Sequence, residues 1–246
     1  MNTYKTAEAA QIIGIHPNTV RLYEKLELIP KAERQENGYR IFTEFHIQQL
    51  RLARLALQAE VLQNGLRKRI VEIVKVSAKG DFDRARILTE EYLRQVRLER
   101  ENAEKAIIFV RQVLSIGVPE NKSFMKRKEV SDYLGISMDS LRNWEMNGLL
   151  EIKRRKNGYR IYTQEDLQRL IVIRSLRCAN YSLEAILRML RKLSKDPHTD
   201  LKAALDTPDT EDDIISACDR LISSLAEAEK KAEIIIGRLL RMKSEF

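Results

Sequence analysis

Asn37-Gly38-Tyr39-Arg40-Ile41-Phe42-Thr43 occurs a second time, as Asn157-Gly158-Tyr159-Arg160-Ile161-Tyr162-Thr163, at an offset of 120 residues. Upstream the match continues at an offset of 121. Lys5 aligns with Lys126, Glu8 with Glu129, Gly14-Ile15 with Gly135-Ile136, Arg21 with Arg142 and Glu24 with Glu145, while Trp144 stands where the first copy has Tyr23. A one-residue deletion in a loop accounts for the change of offset. Self-similarity at a fixed spacing marks a repeated structural unit, so the chain reads as a tandem duplication.

Each copy parses in the same way. Thr6 to Ile13 reads as a short helix with Thr6 as its N-cap. Gly14 permits a tight backbone turn. His16-Pro17 opens a second helix with proline at its first position, where a missing N–H costs nothing; Ser137 is the corresponding cap in copy two. Two short helices joined through a glycine turn make a helix-turn-helix. A hairpin follows, with arms near Leu28–Arg34 and Tyr39–Phe42. Asn-Gly at its tip predicts a type I′ turn. Thr43 and Thr163 then cap a further helix, and Thr163 to Asp166 resembles a capping box with Asp in the place of Glu.

Charge is unevenly spread over the 246 residues. Residues 1–70 carry +4, residues 71–122 +1, residues 123–195 +8 and residues 196–246 −5, within a formal net charge of +8. Basic blocks that coincide with helix-turn-helix patterns point to a polyanion partner. A helix of this width fits the major groove, and its first residues can reach base edges. Asn18, Thr19 and Arg21 are the base-reading candidates in copy one, and Met138, Asp139 and Arg142 in copy two. The two sets differ, which predicts two unequal half-sites. Arg40 and Arg160 sit beside the hairpin turn, in reach of phosphate. Lys153-Arg154-Arg155-Lys156 makes the second hairpin far more basic than Glu33-Arg34-Gln35-Glu36 in the first, so copy two is expected to supply more of the salt-dependent affinity.

On these residues, Ile15 through Glu24 with Asn37 through Thr43, and Leu141 through Glu145 with Asn157 through Thr163 and Asp166-Leu167, each copy resembles the DNA-binding domain of the MerR family of bacterial transcription regulators. Tyr181 to Ile186 continues as that family's next helix does, whereas the counterpart Val61 to Leu66 is degenerate. The resemblance implies a winged helix-turn-helix fold and dimerisation through a long antiparallel helix pair. It also implies binding to pseudo-palindromic promoter DNA, distortion of that DNA, and bacterial RNA polymerase as a partner. It makes Arg21, Tyr23, Arg40, Arg142, Trp144 and Arg160 DNA contacts. The full candidate set is Lys5, Asn18, Thr19, Arg21, Tyr23, Lys25, Arg34, Tyr39 and Arg40 in copy one. In copy two it is Lys126, Ser137, Asp139, Arg142, Asn143, Trp144, Arg154, Arg155, Lys156, Tyr159 and Arg160.

After each copy the pattern turns to heptad spacing. One stripe runs Leu93, Val96, Arg100, Ala103, Ile107, Val110, Leu114, with Arg100 interrupting it. The other runs Ile214, Cys218, Leu221, Leu225, Ala228, Ala232, Ile235, Leu239, Met242. Steps of three and four are those of a coiled-coil seam. Residues 115–122 can span about 26–29 Å at about 3.3–3.6 Å each, enough to place the second copy beside the first long helix. The expectation is a mainly α chain with four parts: winged helix-turn-helix domains at 1–75 and 123–195, a pairing helix with linker at 76–122 and a second pairing helix at 196–246. Helices 83–114 and 210–242 should pair antiparallel within one chain, a monomeric pseudo-dimer, with a homodimer as the rival.

Other classes find little support. Cys178 and Cys218 are far apart, and His16, His46 and His198 do not cluster, so no metal set is read. No P-loop or Gly-x-Ser-x-Gly motif is present, so the chain is expected not to be an enzyme. No apolar run approaches the roughly 20 residues of a membrane span, and a cytoplasmic setting is expected. No cofactor is expected and no effector is identified. The acidic run Asp206 to Asp213 reads as a helix N-terminal turn. The competing reading is a coiled-coil interaction or architectural protein whose helix-turn-helix modules bind protein, or DNA without sequence preference.

Overall fold

The computed structural model describes residues 2–58, 65–116, 124–152, 160–207 and 220–246. It is mainly α, and among the described residues the short strands fall within the helix-turn-helix copies. The chain divides into two compact units: Met1–Leu98 with Ser224–Phe246, and Glu99–Ser223.

The first unit begins with β1 (Thr3–Tyr4), α1 (Thr6–Ile13) and α2 (Pro17–Lys25), followed by β2 (Glu33–Arg34), β3 (Arg40–Thr43), α3 (Glu44–Leu57) and α4 (Leu66–Ala78). The N-cap of α1 is Lys5 rather than Thr6, because Glu8 one turn on accepts the Lys5 backbone N–H at 2.7 Å. Gly14 ends α1 in the left-handed region at φ 69°. Arg54 of α3 then donates to the Ile13 and Gly14 carbonyls and fixes the turn from below. His16 caps α2 as expected, its Nδ1 accepting from the Asn18 N–H at 3.2 Å. Ala9, Ala10, Ile13, Val20, Ile29, Ala32, Phe42, Ile47 and Leu50 form the core. Burial of each large aliphatic or aromatic side chain contributes about 1.5–3 kcal/mol, so this cluster rather than the small sheet carries the stability.

The sheet order is β1-β3-β2, with Tyr4 opposite Phe42 and Arg34 opposite Arg40. The turn differs from the type I′ expectation. Gly38 has φ 81°, and Asn37 is not among the residues with positive φ. The Gly38 N–H donates to Gln35 O at 2.8 Å and the Gln35 N–H to Tyr39 O at 2.9 Å. This is a three-residue loop, a type I turn closed by a left-handed glycine. Asn37 is held on the right-handed side because its Oδ1 accepts the Tyr39 N–H at 3.1 Å. The strands are also shorter than expected at Leu28 and Ile29, which are buried in the core instead.

The second unit repeats the order as β4 (Met125–Lys126), α6 (Arg127–Leu134), α7 (Met138–Met146), β5 (Ile161–Tyr162) and α8 (Gln164–Cys178), then α9 (Leu183–Lys195) and a short α10 (Leu201–Asp206). Ser137 caps α7 by accepting from the Ser140 N–H at 3.0 Å. The capping box at Thr163 is formed: Asp166 accepts the Thr163 N–H at 2.8 Å, and the Thr163 hydroxyl accepts the Asp166 N–H at 3.2 Å. In copy one the same place is taken by His46, whose Nδ1 accepts the Thr43 N–H at 3.0 Å. The tip of the second hairpin, with Arg154, Arg155, Lys156 and Tyr159, lies outside the described residues. The sequence did not announce α10. It is held by Arg188, which is buried and donates to the Ala204 and Leu205 carbonyls at 3.0 and 3.1 Å. Asp206 accepts the Ile222 N–H at 2.9 Å, so one member of the acidic run does sit at a helix N-terminus.

The first long helix, α5 (Phe82–Ser115), matches its expected bounds to one residue. The last, α11 (Leu221–Glu245), is described from Leu221 onward; Ile214 and Cys218 fall outside the described residues. Of the seam, Leu93, Val96, Ala103, Ile107, Val110, Leu221, Leu225, Ala228, Ala232, Ile235, Leu239 and Met242 are buried, and Leu114 is half-buried. Within the first unit, Arg97 binds Glu229 at 2.7 Å and Glu233 at 2.8 Å, while Lys243 binds Asp83 at 2.6 Å. Later residues of α11 thus meet earlier residues of α5. The end of α11 also reaches α3, where Phe246 and Phe45 lie 5.2 Å apart between ring centroids. In the second unit the end of α5 meets α8, with Gln168 donating to Val113 O at 2.7 Å, and the Tyr181 hydroxyl donating to Ala103 O.

Candidate nucleic-acid interface

In copy one, α2 presents Asn18, Arg21 and Lys25 to solvent and keeps Val20 in the core. Asn18 accepts from Arg21 Nη1 at 3.0 Å, which orients the guanidinium along the helix face. Thr19 is half-buried. Tyr23 is also half-buried and packs on the core, and burial pushes its hydroxyl pKa up. Lys5 and Arg34 are exposed, and Tyr39 is the wing's exposed aromatic at 67%.

The wing is tied to the recognition helix by one ion pair. Arg40 Nε donates to Glu24 at 2.6 Å, and the other Glu24 oxygen accepts the Ala32 N–H at 3.1 Å. Glu24 therefore clamps the entry and exit of the hairpin to α2. The result is a cleft of about 650 Å³ that collects Arg21, Lys25, Arg34 and Arg40. Lys31 and Lys79 also line it, against Glu24 and Glu27. Sequence reasoning missed both lysines. Lys79 follows α4 and is remote in sequence from the helix-turn-helix, so no local pattern could assign it.

Copy two repeats the clamp. Arg160 Nε lies 2.7 and 2.8 Å from the two Glu145 oxygens, a bond that holds the guanidinium pKa above its usual value. Lys126, Ser137, Asp139, Arg142 and Asn143 are exposed. Asn143 accepts from Asn147 Nδ2 at 2.6 Å. Trp144 departs from the expectation of a DNA contact: it is 7% exposed and belongs to the core of its helix-turn-helix. Its larger ring sits where Tyr23 is half-buried, so the position is used for packing in both copies. Arg40 and Arg160 are likewise engaged with carboxylates before any ligand arrives. Cys178 is exposed, and no cluster of potential metal ligands exists among the described residues.

Two helices joined through a left-handed glycine, with an arginine at the following strand bound to a glutamate of the second helix, mark each copy as a helix-turn-helix, and in copy one the β2–β3 hairpin adds the wing. Family comparison gives the same result twice: residues 5–42 match the MerR family regulatory protein domain, and residues 125–193 the MerR helix-turn-helix family regulatory protein domain. Two separate stretches of the chain are thus similar to MerR-type regulatory domains. Among curated proteins it is 36% identical over 55 residues to the transcriptional regulator ZntR of Escherichia coli, covering 22% of this chain and 39% of that protein. It is 48% identical over 50 residues to an uncharacterised HTH-type transcriptional regulator of Haemophilus influenzae, covering 20% of this chain and 37% of that one. It is 38% identical over 47 residues to the mercuric resistance operon regulatory protein of Bacillus cereus, covering 19% and 36%. The chain thus spans less than two fifths of the length of these relatives. No solved structure matches it.

Proposed function

We propose that the protein is a transcription regulator that binds double-stranded promoter DNA through both winged helix-turn-helix copies. The observation that carries this reading is the cleft of copy one, where four arginines and lysines expected from the sequence and two that were not converge beside an exposed recognition helix. The site is pseudo-palindromic with unequal half-sites, because Asn18 and Thr19 are replaced by Asp139 and Ser140. Binding distorts the DNA and acts on RNA polymerase, as the MerR resemblance implies. The chain acts as a monomeric pseudo-dimer, with α11 antiparallel to α5. Supporting this are the Arg97–Glu229 and Asp83–Lys243 pairs, whose order along the two helices runs in opposite directions. No helix among the described residues is long and apolar enough to cross a membrane; a cytoplasmic, non-catalytic role follows from the reading.

The test is selection of bound genomic fragments followed by anisotropy titration at several salt concentrations. Arg21→Ala and Arg142→Ala should each cost about 1–3 kcal/mol and relax sequence preference in a different half-site. Log affinity should fall with log salt at about 0.9 per phosphate neutralised. Absence of duplex binding at low salt favours the protein-interaction reading. A light-scattering mass of twice the chain overturns the monomer.

A further inference from the structure

A pocket of about 220 Å³ in the first unit is lined by Gln48 and Arg51 of α3 and by Arg238, Arg241, Met242 and Glu245 of α11. Three guanidinium groups face it against one carboxylate. None of the three makes a salt bridge among the described residues, and Arg241 Nε bonds only within its own helix, to Gly237 O at 3.4 Å. Arg238 is half-buried, and its pKa is lowered first by burial and then by Arg241 and Arg51. Two exposed guanidinium groups, Arg51 and Arg241, therefore crowd a third that is half-buried.

Cations near a helix C-terminus are ordinary partners of the helix dipole. That accounts for a cation in the last turn of α11. It does not account for Arg51, which lies in the middle of α3, or for crowding three guanidinium groups together. The second unit supplies the control. Its matching junction joins α8 to the end of α5, and Gln168 stands where Gln48 does. Ile171 replaces Arg51 at the offset of 120. The seams align at an offset of 125, Val110 with Ile235 and Leu114 with Leu239, so Val113 replaces Arg238 and Ile116 replaces Arg241. The same architecture is built there with three apolar residues. The arginines are not a requirement of the fold.

We propose that Arg51, Arg238 and Arg241 form a receptor for a phosphoryl dianion, either inorganic phosphate or the phosphate group of a small metabolite. Guanidinium groups match phosphate oxygens in paired, charge-assisted hydrogen bonds. A bound dianion would neutralise the crowding and fasten α11 to α3, directly behind the helix-turn-helix. This inference does not rest on DNA binding and is tested without DNA.

The experiment is calorimetric titration of the full chain with inorganic phosphate, and separately with a phosphate monoester such as glycerol phosphate, at ionic strength matched with chloride. One equivalent should bind. Arg51→Ile, which installs the second copy's residue, and Arg241→Gln at an exposed position should each weaken binding roughly tenfold or more. Arg84→Gln, outside the pocket, should leave it unchanged. Circular dichroism checks folding; if Arg51→Ile loses helicity, Arg241→Gln carries the test. Tighter binding of the monoester identifies a metabolite, and of inorganic phosphate the free anion. Failure of both to bind at millimolar concentration, or equal binding by the wild type and both pocket variants, overturns the proposal.

Discussion

The two copies share a skeleton and differ in what they offer a ligand. In each, a glutamate on the recognition helix clamps a wing arginine, and an arginine of the following helix lies beside the glycine turn, Arg54 at Gly14 and Arg174 at Gly135. A third equivalence is chemical rather than literal. Gln49 donates to Leu28 O at 3.0 Å, and Arg169, at the same position, donates to Leu149 O at 2.7 Å. The carbonyl that follows the recognition helix must have a donor, and two different side chains provide it. Away from this frame the copies diverge in sequence: Lys25 becomes Met146, and Glu33-Arg34-Gln35-Glu36 becomes Lys153-Arg154-Arg155-Lys156. The residues that hold the second helix in place match in kind between the copies, whereas its exposed face keeps Arg21 as Arg142 but not its other charge.

The largest test of this comparison is Gln49→Leu. Gln49 is fully buried and also donates to Val74 O at 2.9 Å, while accepting the Ser77 hydroxyl at 2.8 Å. Its loss orphans several buried groups at about 1–3 kcal/mol each. The cost should exceed that of Arg169→Leu, which removes the bond to Leu149 O at a half-buried site. Hydrogen exchange of α4 and α9 amides, read separately, decides between them; equal loss in both would break the argument that copy one depends more on its buried network.

A smaller effect concerns pH. Burial lowers the His46 pKa below its usual 6.5. The unfolded chain then binds the proton more readily than the folded one, so stability is present above about pH 6.5 and is lost as pH falls below it. Protonation at Nδ1 would also remove the acceptor for the Thr43 N–H. The start of α3 should therefore open in mild acid while the start of α8 does not. His46→Asp, the residue of the second copy, should abolish the difference in exchange rates between pH 7.5 and about pH 5.5. A copy-one profile that stays pH-dependent in this variant would assign the effect elsewhere.

The smallest expected change is Arg97→Ala. Its two carboxylate partners lie at a site where the arginine is 48% exposed, and such pairs contribute about 0–1 kcal/mol. Thermal unfolding should shift little and less still at high salt. A large loss would show that the polar edge, rather than the apolar seam, holds α11 to α5.

Much of this was legible in the sequence because it is periodic or punctuated. The heptad stripe set α5 to within a residue, and Thr163 with Asp166 marked a real capping box. What escaped was decided by contacts across the chain. Strands of two residues at Thr3 and Met125 carry no alternation to read. The hairpin turn was settled by one side-chain bond from Asn37. Trp144 was expected at the DNA because the MerR resemblance implies a contact there, yet helical period turns it inward. Lys79 joins the basic cleft only because α4 folds back under α2.

Helix α5 begins in the first unit and ends in the second, and α11 ends in the first. The first unit contains residues 224–246 and the second contains residues 99–115, so each is completed by a strip of polypeptide from the other half of the chain. Two fragments meeting between the copies would stay joined as one particle, each finishing its neighbour's core. Separately expressed halves should complement each other on mixing, whereas neither should fold to native stability alone.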